Sequence, residues 1–326
     1  MNLGALQNKG VKVQLTLAAC VVAVALILTG ASSVSQAAGT PGKGFPSPEE
    51  AVRSLVDAVR AHDMKEMHII LGPGSEALIS SGDDIADRAA REKFLLAYDQ
   101  LNRLEQASAD KMVLHIGSDD WSMPLPIIKK RAAWFFDIDQ GKEEILNRRI
   151  GRNELQVMEV LDAYVDAQHE YASKDYGGGG KVEFAQKFAS SEGKHDGLYW
   201  EAKEGEEESP LGPLIARASR EGYSKESILS PFHGYYFKIL KGQGKNAEGG
   251  SYDYVIKGKM ILGFALVSYP AEYGNSGVMT FIVNQEGAIY QKDLGKDTRR
   301  KAEAMTVFDP DKTWQKVKET LQEQDK

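Results

Sequence analysis

The last third of the chain, residues 232–294, constrains the fold more than any other segment. It contains aromatic and β-branched runs, such as FHGYYFKIL starting at Phe232, separated by turns rich in glycine. Runs of this kind bounded by glycine are typical of antiparallel strands. We therefore predict a meander, its last two strands joined by a hairpin at 284–287. The predicted strands are 235–240, 252–256, 261–269, 279–284 and 288–292.

The N-terminus has the pattern of a secretory signal. Lys9 and Lys12 precede an apolar run at 15–28, and small residues follow up to Ala37. This order predicts a signal segment at 1–37, followed by a leader at 38–46. The apolar run is shorter than the ~20 residues that comfortably cross a bilayer. We expect a periplasmic or secreted protein, with an inner-membrane anchor formed by residues 15–30 as the alternative.

Charge and cysteine usage narrow the function classes. Loss of Lys9 and Lys12 would lower the basic residues from 40 to 38 against 47 acidic ones, moving the net charge from −7 to −9. This balance argues against nucleic acid as a partner, because phosphate binding needs a concentrated positive face. Cys20 is the single cysteine and lies in the apolar run. The exported part would then have neither a disulfide nor thiol chemistry.

The remaining sequence favours an α+β fold in two domains. In residues 47–150, helices come first and strands follow. Ser47 is a predicted N-cap, Pro48 takes the first helical position and Glu50 closes a capping box. A second helix is expected at 85–104, with strands around 112–116 and 134–138. This order resembles the curved sheet of nuclear transport factor 2-like, or cystatin-like, proteins.

The second predicted domain, 151–312, combines a long helix with the meander. An apolar stripe at helical spacing predicts a helix at 142–174, and the domain boundary is placed near its middle, at 151–154. A glycine run at 177–180 follows the helix. A short helix is expected at 211–221, and residues 313–326 form a C-terminal helix or tail. The layout resembles the globular head of type IV pilin-like proteins.

Three longer stretches support a closer resemblance. They are ILNRRIGRNE from Ile145, SPLGPL from Ser209 and the segment 263–292. They resemble the exported bacterial family called domain of unknown function 2950, from about Phe45 to Trp314. The resemblance implies an exported two-part protein without assigned catalytic residues.

Three arginines form the sharpest local charge feature. Arg148, Arg149 and Arg152 lie three or four residues apart on the predicted helix, so their guanidinium groups can converge on a carboxylate or phosphate. The alternative is ion pairing with acidic neighbours at the domain junction, which is common on protein surfaces. The acidic neighbours are Glu143, Glu144 and Glu154.

The sequence gives no sign of a cofactor or a metal site. The glycine run with Lys181 lacks the Ser or Thr and the strand-to-helix context of a phosphate loop. The six histidines show no metal-ligand spacing. His195 and His233 adjoin aromatic residues and are the candidates for acid–base chemistry, although no nucleophile motif accompanies them.

Aromatic residues near His233 suggest a binding groove. Tyr235, Tyr269 and Tyr273 can line a groove for a glycan, a peptide or a lipid headgroup, with ordinary packing as the alternative. The loops 231–236 and 269–277 are where we expect a partner to bind. Carboxylate neighbours such as Asp83 and Asp84 are expected to face solvent.

These observations favour a noncatalytic binding or scaffold protein of the cell envelope. Its partner would be an envelope protein, a glycan or a small anionic ligand, with contact at the domain junction. Two alternatives remain: an envelope hydrolase that uses His233 or His195, and an accessory factor of pilus or secretion machinery.

Overall fold

The computed structural model describes residues 42–176, 182–203, 205–223 and 230–317. The predicted signal segment with Cys20, the glycine run 177–180 with Lys181, and the tail after residue 317 lie outside these ranges. The described residues all belong to one unit of dense contacts. The division at residue 151 therefore stays a prediction.

Helices and antiparallel sheets make up the described chain, which confirms the predicted α+β class. The helices are α1 (Pro48–Arg60), α2 (Met64–Leu71), α3 (Glu76–Ile79), α4 (Asp84–Gln100), α5 (Ile138–Ser173), α6 (Gly212–Arg220) and α7 (Thr298–Ala304). The strands of the first half are β1 (Asn102–Ser108), β2 (Lys111–Ile116), β3 (Trp121–Ser122), β4 (Ile127–Lys130) and β5 (Ala133–Phe136). Those of the second half are β6 (Tyr235–Leu240), β7 (Gly242–Gln243), β8 (Tyr252–Asp253), β9 (Val255–Ile256), β10 (Lys259–Met260), β11 (Ala265–Pro270), β12 (Met279–Asn284), β13 (Ile289–Asp293) and β14 (Gln315–Lys316).

The first half packs α1 against an antiparallel sheet of order β1-β2-β4-β5, with β3 paired to β2. The Ser47 side chain accepts a hydrogen bond from the Glu50 N–H at 3.2 Å, and Pro48 takes the first helical position, as predicted. Apolar residues at helical spacing then face one side of α1. With Ile70, Leu114 and Ile127 they form the first hydrophobic core.

The second half contains an antiparallel sheet of order β14-β13-β12-β11-β6. The predicted hairpin is present: the Asn284 side chain accepts from the backbone N–H groups of Glu286 and Ala288, and Gly287 has φ of +72°. Strands β11 and β12 are buried almost throughout. They lie at the centre of a second hydrophobic core, which includes Tyr164 and Phe264.

Helix α5 reaches both cores. Its first part packs Ile138 and Ile145 against the first core, and its later part buries Val157 and Leu161 in the second. It starts four residues before the predicted helix and continues unbroken through 151–154. A single rigid element therefore carries side chains to both halves of the chain.

Several predicted boundaries are wrong. The helix expected at 85–104 ends at Gln100, because Leu101 adopts an extended backbone and Asn102 begins the edge strand β1. The strand expected at 252–256 is divided into β8 and β9, because the Tyr254 N–H bonds to Lys241 O and its ring enters the second core. The strand expected at 261–269 begins only at Ala265. Helices α2, α3 and α7 were not expected. The tail expected from residue 313 contains β14, which pairs with β13.

Candidate functional site

A buried polar network lies where α4, α5 and two loops of the second half meet. We call five of its residues the junction cluster: Asp83, Arg149, Tyr223, His233 and Asn275. They come from five separate segments of the chain, and hydrogen bonds or ring contacts link each of them to another segment. The loops 231–236 and 269–277 meet here as well, since the Ala271 N–H donates to Gly234 O at 2.9 Å.

Asp83 is an N-cap whose carboxylate also bonds the second half of the chain. One oxygen accepts from the Ala86 N–H at 3.0 Å and so caps α4. The other accepts from the Tyr223 hydroxyl and from the Gly234 N–H, both at 2.9 Å. The residue is 1% exposed, and burial raises the pKa of its carboxyl despite these donors. The expectation that Asp83 faces solvent is wrong, because distant donors draw the carboxylate inward.

His233 is buried beside the same contacts. It and Gly234 form the two central residues of a tight turn closed by hydrogen bonds between Phe232 and Tyr235, and both have positive φ. The ring contacts Phe232 and Tyr223, and its Nε2 lies 3.4 Å from Glu221 Oε2.

The electrostatic surroundings of His233 favour its neutral form. Burial lowers the pKa of His233 to about 4, with smaller contributions from Arg217 and Arg152. Burial also raises the pKa of Glu221, the carboxylate that faces its ring. The imidazole is therefore uncharged at neutral pH.

The three predicted arginines do not converge. Arg148 is exposed, and its Nε donates to Glu144 at 2.7 Å, which is the ion pairing considered as the alternative. Arg149 turns inward and donates to the carbonyls of Ala77 and Leu78. Tertiary packing directs adjacent side chains on one helix to different partners.

Arg149 also bonds the second half, donating to Asn275 Oδ1 at 2.5 Å. Burial lowers the pKa of the Arg149 guanidinium. Arg152 stays exposed and acts electrostatically on both Arg149 and His233. Of the three, Arg152 alone presents its side chain to solvent next to the junction cluster.

The three predicted tyrosines do not line one groove. Tyr235 is fully buried, and its hydroxyl donates to Met279 O at 3.0 Å. Tyr269 pairs directly with Tyr236 across the sheet, so it lies on the face opposite to Tyr235. The Tyr273 hydroxyl donates to Asp293 at 3.1 Å. Strand alternation therefore keeps Tyr235 and Tyr269 from lining one groove, and Tyr273 lies in the loop between β11 and β12.

His195 belongs to a different cluster. It is exposed and stacks on Trp200 at 4.2 Å, with the ring of Tyr176 edge-on at 5.8 Å. Its backbone carbonyl accepts a hydrogen bond from the Tyr171 hydroxyl. Its contacts therefore differ from those of His233.

An apolar cavity of about 60 Å³ borders the junction cluster. It lies between α5, α6 and strands β6 and β11, and it was not predicted from the sequence. Tyr223 and Phe232 form the side that adjoins His233. The lining residues are Val160, Tyr164, Phe188, Leu211, Leu214, Ile215, Ala218, Tyr223, Phe232, Phe237 and Leu266.

The two tyrosine hydroxyls of this lining are already engaged. Tyr164 accepts from Gln168 Nε2 at 3.0 Å and donates to Ala265 O at 3.4 Å. Tyr223 donates to Asp83. Because the other lining side chains are hydrocarbon, the walls offer apolar contacts. The apolar residues of α6 at helical spacing, Leu214 and Ala218 among them, are the one signal in the sequence that points to this surface.

Within residues 42–176, 182–203, 205–223 and 230–317, no three His, Cys, Asp or Glu side chains are grouped so as to hold a metal ion. Across those ranges, no helix combines the length and apolar character that a membrane crossing requires.

Comparison with protein families identifies the chain. The family described as "Protein of unknown function (DUF2950)" matches residues 42–317. The chain belongs to this family. The match covers every helix and strand of this DUF2950 protein that is described above. No curated protein and no solved structure matched it. The resemblances to pilin-like heads and to nuclear transport factor 2-like proteins therefore stay predictions.

Proposed function

We propose that this DUF2950 protein is an exported, noncatalytic binding protein of the bacterial cell envelope, and that its ligand enters the apolar cavity between α5, α6 and the second sheet. The N-terminal sequence pattern supports export. The cavity carries the proposal of a binding site. Apolar pockets that adjoin a few polar groups with perturbed pKa values are the usual form of small-ligand sites.

The apolar walls of the cavity give a free-energy argument. A ligand that covers them removes hydrocarbon surface from water, which is worth roughly 25 cal/mol for each Å² buried. Part of this surface is aromatic and comes from Phe188 and Phe237.

The hydrogen bonds and burial of the junction cluster support a structural rather than a catalytic role for its residues. The carboxylate of Asp83 accepts from three donors, two of which come from the second half of the chain. His233 is 6% exposed and sits in a strained left-handed turn. These groups hold the loops beside the cavity in place.

A neutral fluorescent probe with a single linear chain, methyl cis-parinarate, tests the proposal. Ala218→Val places two methyl groups at the cavity wall, whereas Ala216→Val makes the same change at an exposed position of the same helix. Both variants carry the same helix-propensity cost. We expect Ala218→Val to lower probe affinity, because its added methyl groups occupy part of the cavity, and Ala216→Val to leave probe affinity unchanged.

Probe titration measures the affinity of each variant, and urea-induced unfolding measures its stability. Leu214→Phe, which adds volume from another part of α6, should weaken probe binding in the same way. Equal probe affinity in the wild type, Ala218→Val and Leu214→Phe would contradict the cavity as the binding site. A wild-type protein that does not bind the probe would contradict the proposed function.

A further inference from the structure

Resting on the proposed function, we infer that the ligand is a single-chain amphiphile with a carboxylate head: its alkyl end enters the apolar cavity and its head is bound by Arg217, with Arg152 nearby. Two features carry this inference. One is the size and chemistry of the cavity, and the other is the arginine at its edge.

The cavity accepts the end of a chain rather than a ring. An engineered cavity that takes up benzene measures about 150 Å³, and a water molecule occupies about 30 Å³ in the liquid. The space of about 60 Å³ is therefore too small for a ring and large enough for a few methylene groups. Because both tyrosine hydroxyls of the lining are engaged, a polar group inside the cavity would lose its hydrogen bonds to water. The inserted part must be hydrocarbon.

Arg217 stands at the edge of this space. It precedes Ala218, which lines the cavity, and follows Leu214 and Ile215 on the same helix. Its Nη1 donates to Glu159 Oε2 at 3.1 Å. Its Nε is buried and has no hydrogen-bond partner. The Arg217 side chain as a whole is 40% exposed, so a ligand can reach it, and a ligand oxygen placed beside Nε would accept the free N–H.

The charge around the edge favours an anionic oxygen. Arg217 and Arg152 both place positive potential at His233, whose neighbour Phe232 lines the cavity. Glu159 and Glu221 border the same place; Glu159 already bonds Arg217, and Glu221 lies against His233. The remaining edge of the Arg217 guanidinium suits a carboxylate, which binds arginine through charge-assisted hydrogen bonds. A bulky head would collide with Glu159 and Glu221, and a doubly charged anionic head would be repelled by them.

Three ten-carbon ligands separate the roles of tail and head: decanoate, decanol and decylammonium. We expect decanoate to displace methyl cis-parinarate at the lowest concentration, decanol at a higher one and decylammonium at the highest. Arg217→Gln should weaken decanoate binding roughly tenfold, the loss expected for one charge-assisted hydrogen bond. It should leave decanol affinity within about twofold, since the tail contacts are unchanged.

Arg220→Gln is the matched control, because Arg220 is exposed on the same helix. It should leave the affinities of decanoate and decanol unchanged. Arg152→Gln should weaken decanoate by a smaller factor than Arg217→Gln. Equal binding of decanoate and decanol to the wild type, or equal decanoate binding by Arg217→Gln and Arg220→Gln, would overturn the carboxylate assignment while leaving the proposed function intact. Failure of methyl cis-parinarate itself to bind would instead overturn the proposed function.

Discussion

Acidification from pH 7 to pH 4 should destabilise the protein through His233. The pKa of His233 in the folded protein is about 4, below its ordinary value of 6.5. Between these two pH values the unfolded chain binds a proton that the folded protein does not, so the free energy of unfolding falls as the pH falls through this window. Above pH 6.5 the contribution of His233 to this pH dependence disappears.

The magnitude follows from the two pKa values. A tenfold difference in proton affinity corresponds to about 1.4 kcal/mol, so the difference between 6.5 and about 4 corresponds to about 3 kcal/mol at the acidic end. Burial raises the pKa of Asp83 and of Glu221, and these groups act in the opposite direction, since their raised values favour the folded state as the pH falls. A comparison of variants separates the contribution of His233 to the pH dependence from those of Asp83 and Glu221.

His233→Asn is the variant of choice. Asparagine tolerates the positive φ of +51° and does not titrate. Urea-induced unfolding followed by tryptophan fluorescence at pH 7, 5.5 and 4 gives the free energy of unfolding at each pH. We expect His233→Asn to lose about 3 kcal/mol less than the wild type between pH 7 and pH 4.

His62→Asn provides the matched control. His62 has the same φ of +51° but is exposed, so this variant reports the backbone effect of the substitution alone. It should follow the wild-type pH dependence. If His233→Asn lost as much stability as the wild type on acidification, the reasoning from burial of the imidazole would be refuted.

Two further predictions concern the junction and the second sheet. Asp83→Ala removes the N-cap of α4 and leaves two buried donors without an acceptor. It should lower the free energy of unfolding by about 3–5 kcal/mol. Asp63→Ala, at the exposed N-cap of α2, should lower it by about 1 kcal/mol. Similar losses in urea unfolding would contradict the role given to Asp83. Gly277→Ala would place a Cβ 2.0 Å from the Tyr235 hydroxyl, while Gly151→Ala on α5 would meet nothing within 4 Å. The midpoint of thermal unfolding should fall for Gly277→Ala. It should stay unchanged or rise for Gly151→Ala, because alanine is favoured over glycine in a helix by ~1 kcal/mol. The reverse order would contradict the packing described for Tyr235.

Features that depend on near neighbours were predictable from the sequence. Ser47 and Pro48 start α1 because a cap and a fixed φ act within one turn of helix. The hairpin at 284–287 follows from the turn chemistry of Asn284 and Gly287. The strands β6 and β12 match their predicted bounds, because their alternation and glycine borders are also local.

The candidate site was only partly predictable. Two of the residues singled out in the sequence, Arg149 and His233, are part of the polar network. The sequence did not indicate that Arg148 and Arg149 point to different partners, since both positions are equally polar in a helical pattern. Nor did it indicate the burial of Asp83, which resembles any acidic residue before a helix. The cavity was missed because its walls come from α5, α6, β6 and β11 together.

The α+β class, the start of α1, the final hairpin and the family resemblance could all be recognised in the sequence. Which polar residues are buried, and where the apolar cavity forms, depends on the tertiary structure. The physical reason is the separation along the chain: the Asp83 carboxylate bonds Gly234 across 151 residues, and Arg149 bonds Asn275 across 126. Caps and turns are stabilised within a few residues, whereas these contacts form only once both hydrophobic cores have brought the segments together.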